Sequence, residues 1–182
     1  MTFTQSRIPD VIVIEPKIFR DERGFFFEEY NREIFFKNGI RVNFVQDNHS
    51  LSAKGTVRGL HYQIPPKAQD KLVYVVRGKI FDVAVDLRKK SKTFGQYVSH
   101  VLSAENKKML FIPAGFAHGF FVLEKDSEVI YKVSQGYSRE HERGLLWNDP
   151  KLGIDWPKLK ASHVLSSKDQ KHPLLKKAEI FN

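Results

Sequence analysis

Four residues in the middle of the chain carry groups that can move protons or hold charge: His61, Lys71, Asp82 and His118. An unperturbed histidine titrates near 6.5, so either imidazole can serve as base or acid at neutral pH. None of the 182 residues is a cysteine, which rules out disulfides, thiolate metal sites and cysteine nucleophiles together. Lys71 precedes and Asp82 lies within the two largely apolar runs Leu72–Val76 and Lys79–Leu87, which flank Arg77-Gly78, a two-residue connection of the tight-hairpin kind. Such a hairpin would pair Val76 with Lys79 and Val73 with Asp82. Period-two alternation then gathers Lys71, Val73, Ile80, Asp82 and Ala84 on one face, with Lys71 and Asp82 diagonal neighbours about 7–8 Å apart. The opposite set (Leu72, Tyr74, Val76, Phe81, Val83, Val85) is apolar as well, so both faces are covered and the pair reads as an interior polar site. An outward-facing surface pair is the plainer alternative.

The elements that must position these groups are strands. Fifteen Phe, six Tyr and frequent Val and Ile, broken by eleven Gly, predict ten short ones. They run over Val11–Ile14, Phe25–Tyr30, Val42–Asn48, Val57–Gln63, Leu72–Val76, Lys79–Leu87, Tyr97–Leu102, Met109–Ile112, His118–Leu123 and Glu128–Ser134. Helical signals are few. Asn31 can cap a short helix through Phe36 that stops at Gly39, and Ser167 can cap another toward His172, limited by Pro173. With no repeat, low-complexity tract or linker, residues 1–182 are expected to form one all-β domain, a jelly-roll barrel or sandwich with a helical segment near the C-terminus.

The segment Gly55–Gly78 resembles the first cupin motif, G-x5-H-x-H-x3,4-E-x6-G, in which two His and a Glu bind metal. Gly55 is followed after five residues by His61, and Lys71 after six by Gly78. Gln63 stands in place of the second His, and Lys71 in place of the Glu. A cation repels a divalent ion and a neutral amide is a weak donor, so the frame survives without its ligands. The second cupin element survives as Pro113-Ala114-Gly115-Phe116-Ala117-His118. The expectation is a cupin barrel with no metal and no cofactor, whose Lys, His and Asp groups do organic acid–base chemistry in the same cavity.

Beyond these frames the chain resembles the dTDP-4-dehydrorhamnose 3,5-epimerase family of the dTDP-L-rhamnose pathway. The matching stretches are Arg23-Gly24-Phe25-Phe26, Gln46-Asp47-Asn48-His49-Ser50, Arg58-Gly59-Leu60-His61-Tyr62-Gln63 and Asp82 through Arg88. They continue with Ile112 through Gly119, Asp149 through Pro157, and Leu165-Ser166-Ser167-Lys168-Asp169. The resemblance implies a metal-free isomerase that inverts C3 and C5 of dTDP-4-dehydro-6-deoxy-D-glucose to give dTDP-4-dehydro-L-rhamnose. It implies His61 as base, Asp169 as the carboxylate that orients it, and Lys71 as a cation facing the C4 oxygen with Asp82 keeping it placed. Tyr131 takes the part of the acid across the sugar. Arg23 and Arg58 are implied at the diphosphate and Tyr137 against thymine, while Glu28, Gln46, Asp47, Asn48, His118, Glu142 and Lys168 are implied as further substrate contacts. Arg58 and His61, three apart, would face opposite ways on a regular strand; Gly59 can mark a bulge that turns both inward. For Asp169 the bland competitor is a helix-start role of Lys168-Asp169.

Thirty Lys and Arg against 21 Asp and Glu give a net charge of +9, which admits a nucleic-acid partner. The excess is scattered in short runs such as Arg88–Lys90 and Lys176–Lys177, with no helical basic stripe and no aromatic-basic motif. A nucleotide-linked metabolite suits the charge better, held by guanidinium forks because there is no P-loop or G-x-G-x-x-G. Met1–Asp10 lacks the apolar region of a secretory signal, and no apolar run approaches the ~20 residues that span a bilayer. A cytoplasmic protein with no membrane partner is expected. In the family the N-terminal arm crosses to a second subunit, so a homodimer with the N-terminal strand exchanged is expected, which leaves both cis and trans contacts open to Arg23 and Glu28. Rival readings are a C5-only epimerase, a ketoisomerase, a non-catalytic nucleotide-sugar-binding cupin and a metal-dependent cupin oxygenase.

Overall fold

The computed structural model describes residues 1–158 and 163–182. Its strands are β1 (Thr2–Gln5), β2 (Ile12–Glu15), β3 (Phe19–Asp21), β4 (Gly24–Phe26), β5 (Gln46–Ser52), β6 (Val57–Gln63) and β7 (Lys71–Arg77). They continue as β8 (Lys79–Asp86), β9 (Tyr97–Ser103), β10 (Met109–Ile112), β11 (Phe116–Val122), β12 (Ser127–Val133) and β13 (Glu142–Gly144). One helix, α1 (Arg32–Lys37), follows β4. The Asn31 side chain accepts hydrogen bonds from the backbone of Glu33 and Ile34, and Gly39 lies just past the helix end at φ +89°, as capping chemistry predicts. The fold is all-β and cupin-like.

Two antiparallel sheets form the body. One runs β1-β2-β10-β7-β12-β5 and the other β13-β6-β11-β8-β9. Val73 and Val75 of β7, Val129 of β12 and Leu110 of β10 meet Ile80, Ala84, Phe116 and Phe120 of the opposing sheet to make the inner core. The outer face of the first sheet presents Leu72, Tyr74, Met109 and Phe111 to Phe35 of α1. The outer face of the second presents Val83, Val85, Ala117 and Phe121 to Leu145, Leu152 and Trp156. Both faces of both sheets are therefore covered, which is why β7 and β8 read as near-continuous apolar runs.

That double coverage corrects the expected hairpin. β7 and β8 do not pair: β7 lies between β10 and β12, and β8 between β11 and β9. Gly78, at φ +76°, is the corner through which the chain leaves one sheet for the other. A Cβ there would fall 2.3 Å from Ser127 Oγ and 2.9 Å from its Cα, so the corner is closed to other residues. The inward set survives the change, because Lys71, Val73, Ile80, Asp82 and Ala84 still face the interior, now from opposing walls. The two early strands also shift. Phe25–Tyr30 shrinks to Gly24–Phe26, paired with β3 in a separate ribbon, and Val42–Asn48 becomes Gln46–Ser52.

The C-terminal segment is laced onto the second sheet. Val57 N donates to Val164 O at 2.9 Å, Leu146 N to Pro173 O at 2.8 Å, and Leu175 N to the Asp149 carboxylate at 2.7 Å. These ties bring the short turn Asp169–Lys171 against β6. It is a 3-10 turn rather than a helix, and Ser166, not Ser167, supports it by accepting from Asp169 N at 3.1 Å. Among the described residues no helix is long and apolar enough to cross a membrane.

Candidate active site

A cleft of about 330 Å³ opens between the sheets. The second sheet lines it with Arg58, His61, His118 and Glu142, and the first with Gln46, Asn48, Lys71 and Tyr131; Tyr137, Lys168 and Asp169 complete the wall. Arg58 and His61 reach the same cleft because the β6–β11 register slips between them: His118 lies opposite His61, but Phe120 lies opposite Arg58. Gly59 sits in that bulge at φ +126°, its backbone so close to Gly119 that an added Cβ would lie 2.6 Å from Gly119 Cα.

His61 Nε2 lies 2.6 Å from Asp169 Oδ1, leaving Nδ1 as the ring nitrogen free to take a proton. Burial alone would raise the Asp169 carboxyl pKa, but the neighbouring His172 and His61 imidazoles and the Ser166 hydroxyl more than offset it. The group is held well below the ordinary carboxylate range and stays an anion. Orientation of a histidine by a buried carboxylate is the arrangement that fixes the tautomer and favours the imidazolium once a proton is taken.

Lys71 crosses from the first sheet and donates from Nζ to His61 O at 3.2 Å. Burial brings its pKa down to about 8, with the Asp82 and Glu142 carboxylates pulling the other way. Asp82 does not ion-pair with Lys71 as expected. Its Oδ1 lies 2.7 Å from His118 Nε2, fully buried, and its charge acts on Lys71 across space. The change of partner follows from the sheet topology, since Asp82 on β8 neighbours β11, where His118 stands opposite Ala84. Burial pushes the His118 pKa down, against the pull of Asp82.

Tyr131 projects from β12 beside Val73, and burial raises its hydroxyl pKa, so it keeps its proton at neutral pH. His61 and Tyr131 thus stand on opposing walls of one cleft. Toward the rim Glu142 gathers Lys168 and the Tyr137 hydroxyl, the latter at 2.9 Å, while Gln46 Oε1 accepts from Tyr137 N at 3.0 Å. Arg58 donates from Nε to Ser52 Oγ at 2.9 Å, and its guanidinium borders the cleft.

Three expected contacts lie elsewhere in this chain. Asp47 alternates to the outer face of β5 and pairs with Lys132 at 2.8 Å, because only Gln46 and Asn48, one residue either side, point inward. Arg23 lies in the β3–β4 ribbon, bound to Asp21, and Glu28 accepts from Asn31 Nδ2 at 3.1 Å near the helix start. Sequence reasoning missed Ser50, Phe120 and Ser166 in the cleft wall, and His172, whose signal was its spacing of three from Asp169.

The metal frame does not fit a metal. Gln63 spends its amide on the backbone, donating to Lys67 O at 2.7 Å and Gly136 O at 3.2 Å and accepting from Ser138 N at 2.7 Å. Lys71 places an ammonium where a carboxylate ligand would stand.

Residues 5–177 match the family model described as dTDP-4-dehydrorhamnose 3,5-epimerase. A dTDP-4-dehydrorhamnose 3,5-epimerase of Pseudomonas aeruginosa is 54% identical over 182 residues, covering 100% of this chain and 99% of that one. The crystal structure of the Legionella pneumophila dTDP-6-deoxy-D-glucose-3,5-epimerase, in complex with dTDP-4-keto-L-rhamnose, superposes with a TM-score of 0.93. It is 46% identical, over 97% of this chain and 93% of that chain. A 3'-monoepimerase of Streptomyces bikiniensis in complex with dTDP-quinovose is also similar, at 34% identity and a TM-score of 0.87, over 94% of this chain and 87% of that chain.

Proposed function

The chain belongs to the dTDP-4-dehydrorhamnose 3,5-epimerase family, and from that premise we propose that it inverts C3 and C5 of dTDP-4-dehydro-6-deoxy-D-glucose by proton transfer through an enolate. The observation that carries the reading is a base and an acid on opposing walls of one cleft, with a buried cation beside the base. Carbons next to the C4 carbonyl are acidic because the charge left behind moves onto oxygen. His61, oriented by Asp169, takes the proton into Nδ1; Lys71 faces the C4 oxygen as charge develops there; Tyr131 returns a proton to the far face. The resulting tyrosinate and imidazolium are reset from solvent before the second carbon reacts. Incubation of the chain with dTDP-4-dehydro-6-deoxy-D-glucose should give dTDP-4-dehydro-L-rhamnose by proton NMR, and recovery of unchanged sugar would contradict the reading.

The Lys71 role carries a pH dependence. A lysine with a pKa of about 8 is cationic below that value and loses its charge as the pH rises through it. The kcat/KM profile should therefore show an alkaline limb centred near pH 8. Lys71→Met should lose the limb along with about 10²–10³ of the rate, the worth of one donor to a developing oxyanion. A profile level from pH 7 to 10 would remove the ammonium from the mechanism.

Because Gln63 and Lys71 occupy the ligand places of the metal frame, turnover should survive exhaustive chelation. Activity lost to a chelator and restored by one metal would replace acid–base chemistry with a metal mechanism.

The dTDP moiety is assigned to the rim, with Arg58 and Lys168 at the diphosphate and Tyr137 stacked on thymine. Arg23 and Glu28 are assigned to the cleft of a second subunit. The β3–β4 ribbon supports this, since it leaves Phe19, Phe25 and Phe26 exposed at 53%, 52% and 68%, an apolar surface that a partner would cover. Light scattering should give twice the 21.1 kDa chain mass. A fully active species at the monomer mass would sink both the dimer and the shared site. We read residues 1–182 as one domain, placed in the cytoplasm on its nucleotide-linked substrate and cysteine-free composition.

A further inference from the structure

His172 is unused by the mechanism above, yet its place is built with care. Asp169 opens the 3-10 turn Asp169–Lys171 and His172 is the extended residue just past its end, so one tight turn of chain brings the two side chains together. His172 Nε2 stands 3.4 Å from Asp169 Oδ1, the same oxygen that lies 2.6 Å from His61 Nε2. Its ring meets the His61 ring edge to face, centroids 5.5 Å apart. The side chain is only 9% exposed, and Nε2 is buried without a hydrogen-bond partner. Gly144 makes the room. A Cβ on that residue of β13 would fall 2.1 Å from His172 Cε1, so the strand carries a glycine where the imidazole lies.

From these positions we infer that His61, Asp169 and His172 form a latent zinc site whose occupation silences the proton-transfer histidine. Their three ligand atoms lie within 4.8 Å of one another. Tetrahedral zinc with bonds of 2.0–2.1 Å wants ligand atoms roughly 3.3 Å apart, so side-chain movements of about 1 Å would close the set. Two imidazoles and a carboxylate suit zinc and its late first-row neighbours, whereas magnesium and calcium prefer all-oxygen shells. Water from the cleft can supply the fourth ligand, since His61 and Asp169 both border it. This place shares His61 with the metal frame but draws its other ligands from Asp169 and His172, away from the positions that Gln63 and Lys71 close.

The chemical consequence follows from the tautomer. In the resting pair Nε2–H of His61 donates to Asp169 and Nδ1 holds the free electron pair. Zinc at Nε2 takes that nitrogen's electron pair, and the ring proton moves to Nδ1. Asp169 exchanges its hydrogen bond from His61 for a bond to zinc, no proton leaves the ring, and the nitrogen that would accept the sugar proton is now occupied. Zinc binding is independent of the proposed epimerisation; the inhibition rests on it.

Calorimetric titration of the metal-stripped full chain with zinc at pH 8 should show one zinc per chain and no comparable heat with magnesium. His172→Gln should weaken zinc by at least about tenfold, and raise by a similar factor the zinc needed to halve turnover, each variant being compared with its own metal-free rate. Circular dichroism reports whether the variant folds. Cobalt(II) added to the unmodified protein gives a second reading that needs no variant, because intense visible absorption marks four-coordination with nitrogen and oxygen ligands. Equal zinc affinity in the two proteins, or only the pale spectrum of six-coordinate cobalt, would overturn the site. His172-dependent binding that leaves turnover unchanged would overturn the silencing. A chain that binds zinc in this way but never epimerises the sugar would retain the site and refute the proposed function instead.

Discussion

His61→Ala is expected to lower turnover and solvent-deuterium exchange together, each by about 10²–10⁴, the usual worth of one acid–base group and roughly 3–5 kcal/mol of barrier. The loss is shared because abstraction precedes everything else: without an acceptor at Nδ1 no enolate forms, so nothing can exchange or invert. Lys71, Tyr131 and the sheets that carry them stay in place, so dTDP should still bind. Asp169 loses the imidazole 2.6 Å away, which removes one of the partners that hold its charge within the protein. Some loss of thermal stability should therefore accompany the kinetic effect, and circular dichroism at the assay temperature separates the two. Exchange that continues at the normal rate while product falls would assign abstraction to another group.

Tyr131→Phe should fail differently. It deletes one hydroxyl from the wall opposite His61 and leaves the base, Asp169 and Lys71 untouched. Abstraction continues, and His61 can hand the proton or a solvent deuteron back to the face it came from. Exchange without inversion should persist, while epimerised product drops by about 10²–10⁴. The fold should tolerate Phe, since the ring volume is nearly unchanged and the residue already packs against the inner core. Equal loss of exchange and product in a folded variant would mean that Tyr131 is not a dedicated acid on the far face.

Much of the fold was legible because its signals are local. Met109–Ile112 and Val57–Gln63 are strands at the predicted residues, and Asn31 caps α1, since β-branched runs and a capping amide act over a few residues. The β7–β8 hairpin was not legible. When both faces of a strand are buried, alternation no longer says which neighbour it has, and a glycine corner between sheets looks like a tight turn in sequence. β13 escaped notice for a related reason: Glu142-Arg143-Gly144 has no strand-forming character and pairs only because β6 lies beside it. At the site, His61 and Lys71 stand out through the cupin spacing, and Asp82 through the alternation of its strand. The His61–Asp169 contact spans 108 positions of sequence and came from the family resemblance, not from any pattern in the chain. Asp82 was correctly turned inward but given the wrong partner, an error inherited from the hairpin. His172 is not legible because its approach to Asp169 depends on a tight turn that ends at Lys171, whereas the capping signals predict a helix running toward His172.

One base and one acid, on opposite walls, are expected to turn over both carbons next to the C4 carbonyl. This expectation is tested most directly by proton NMR of dTDP-4-dehydro-6-deoxy-D-glucose incubated with the chain in deuterated water. Deuterium should enter at both C3 and C5 while the sugar converts to dTDP-4-dehydro-L-rhamnose. Label at C5 alone, migration of the carbonyl, or a sugar that binds and takes up no deuterium would contradict it.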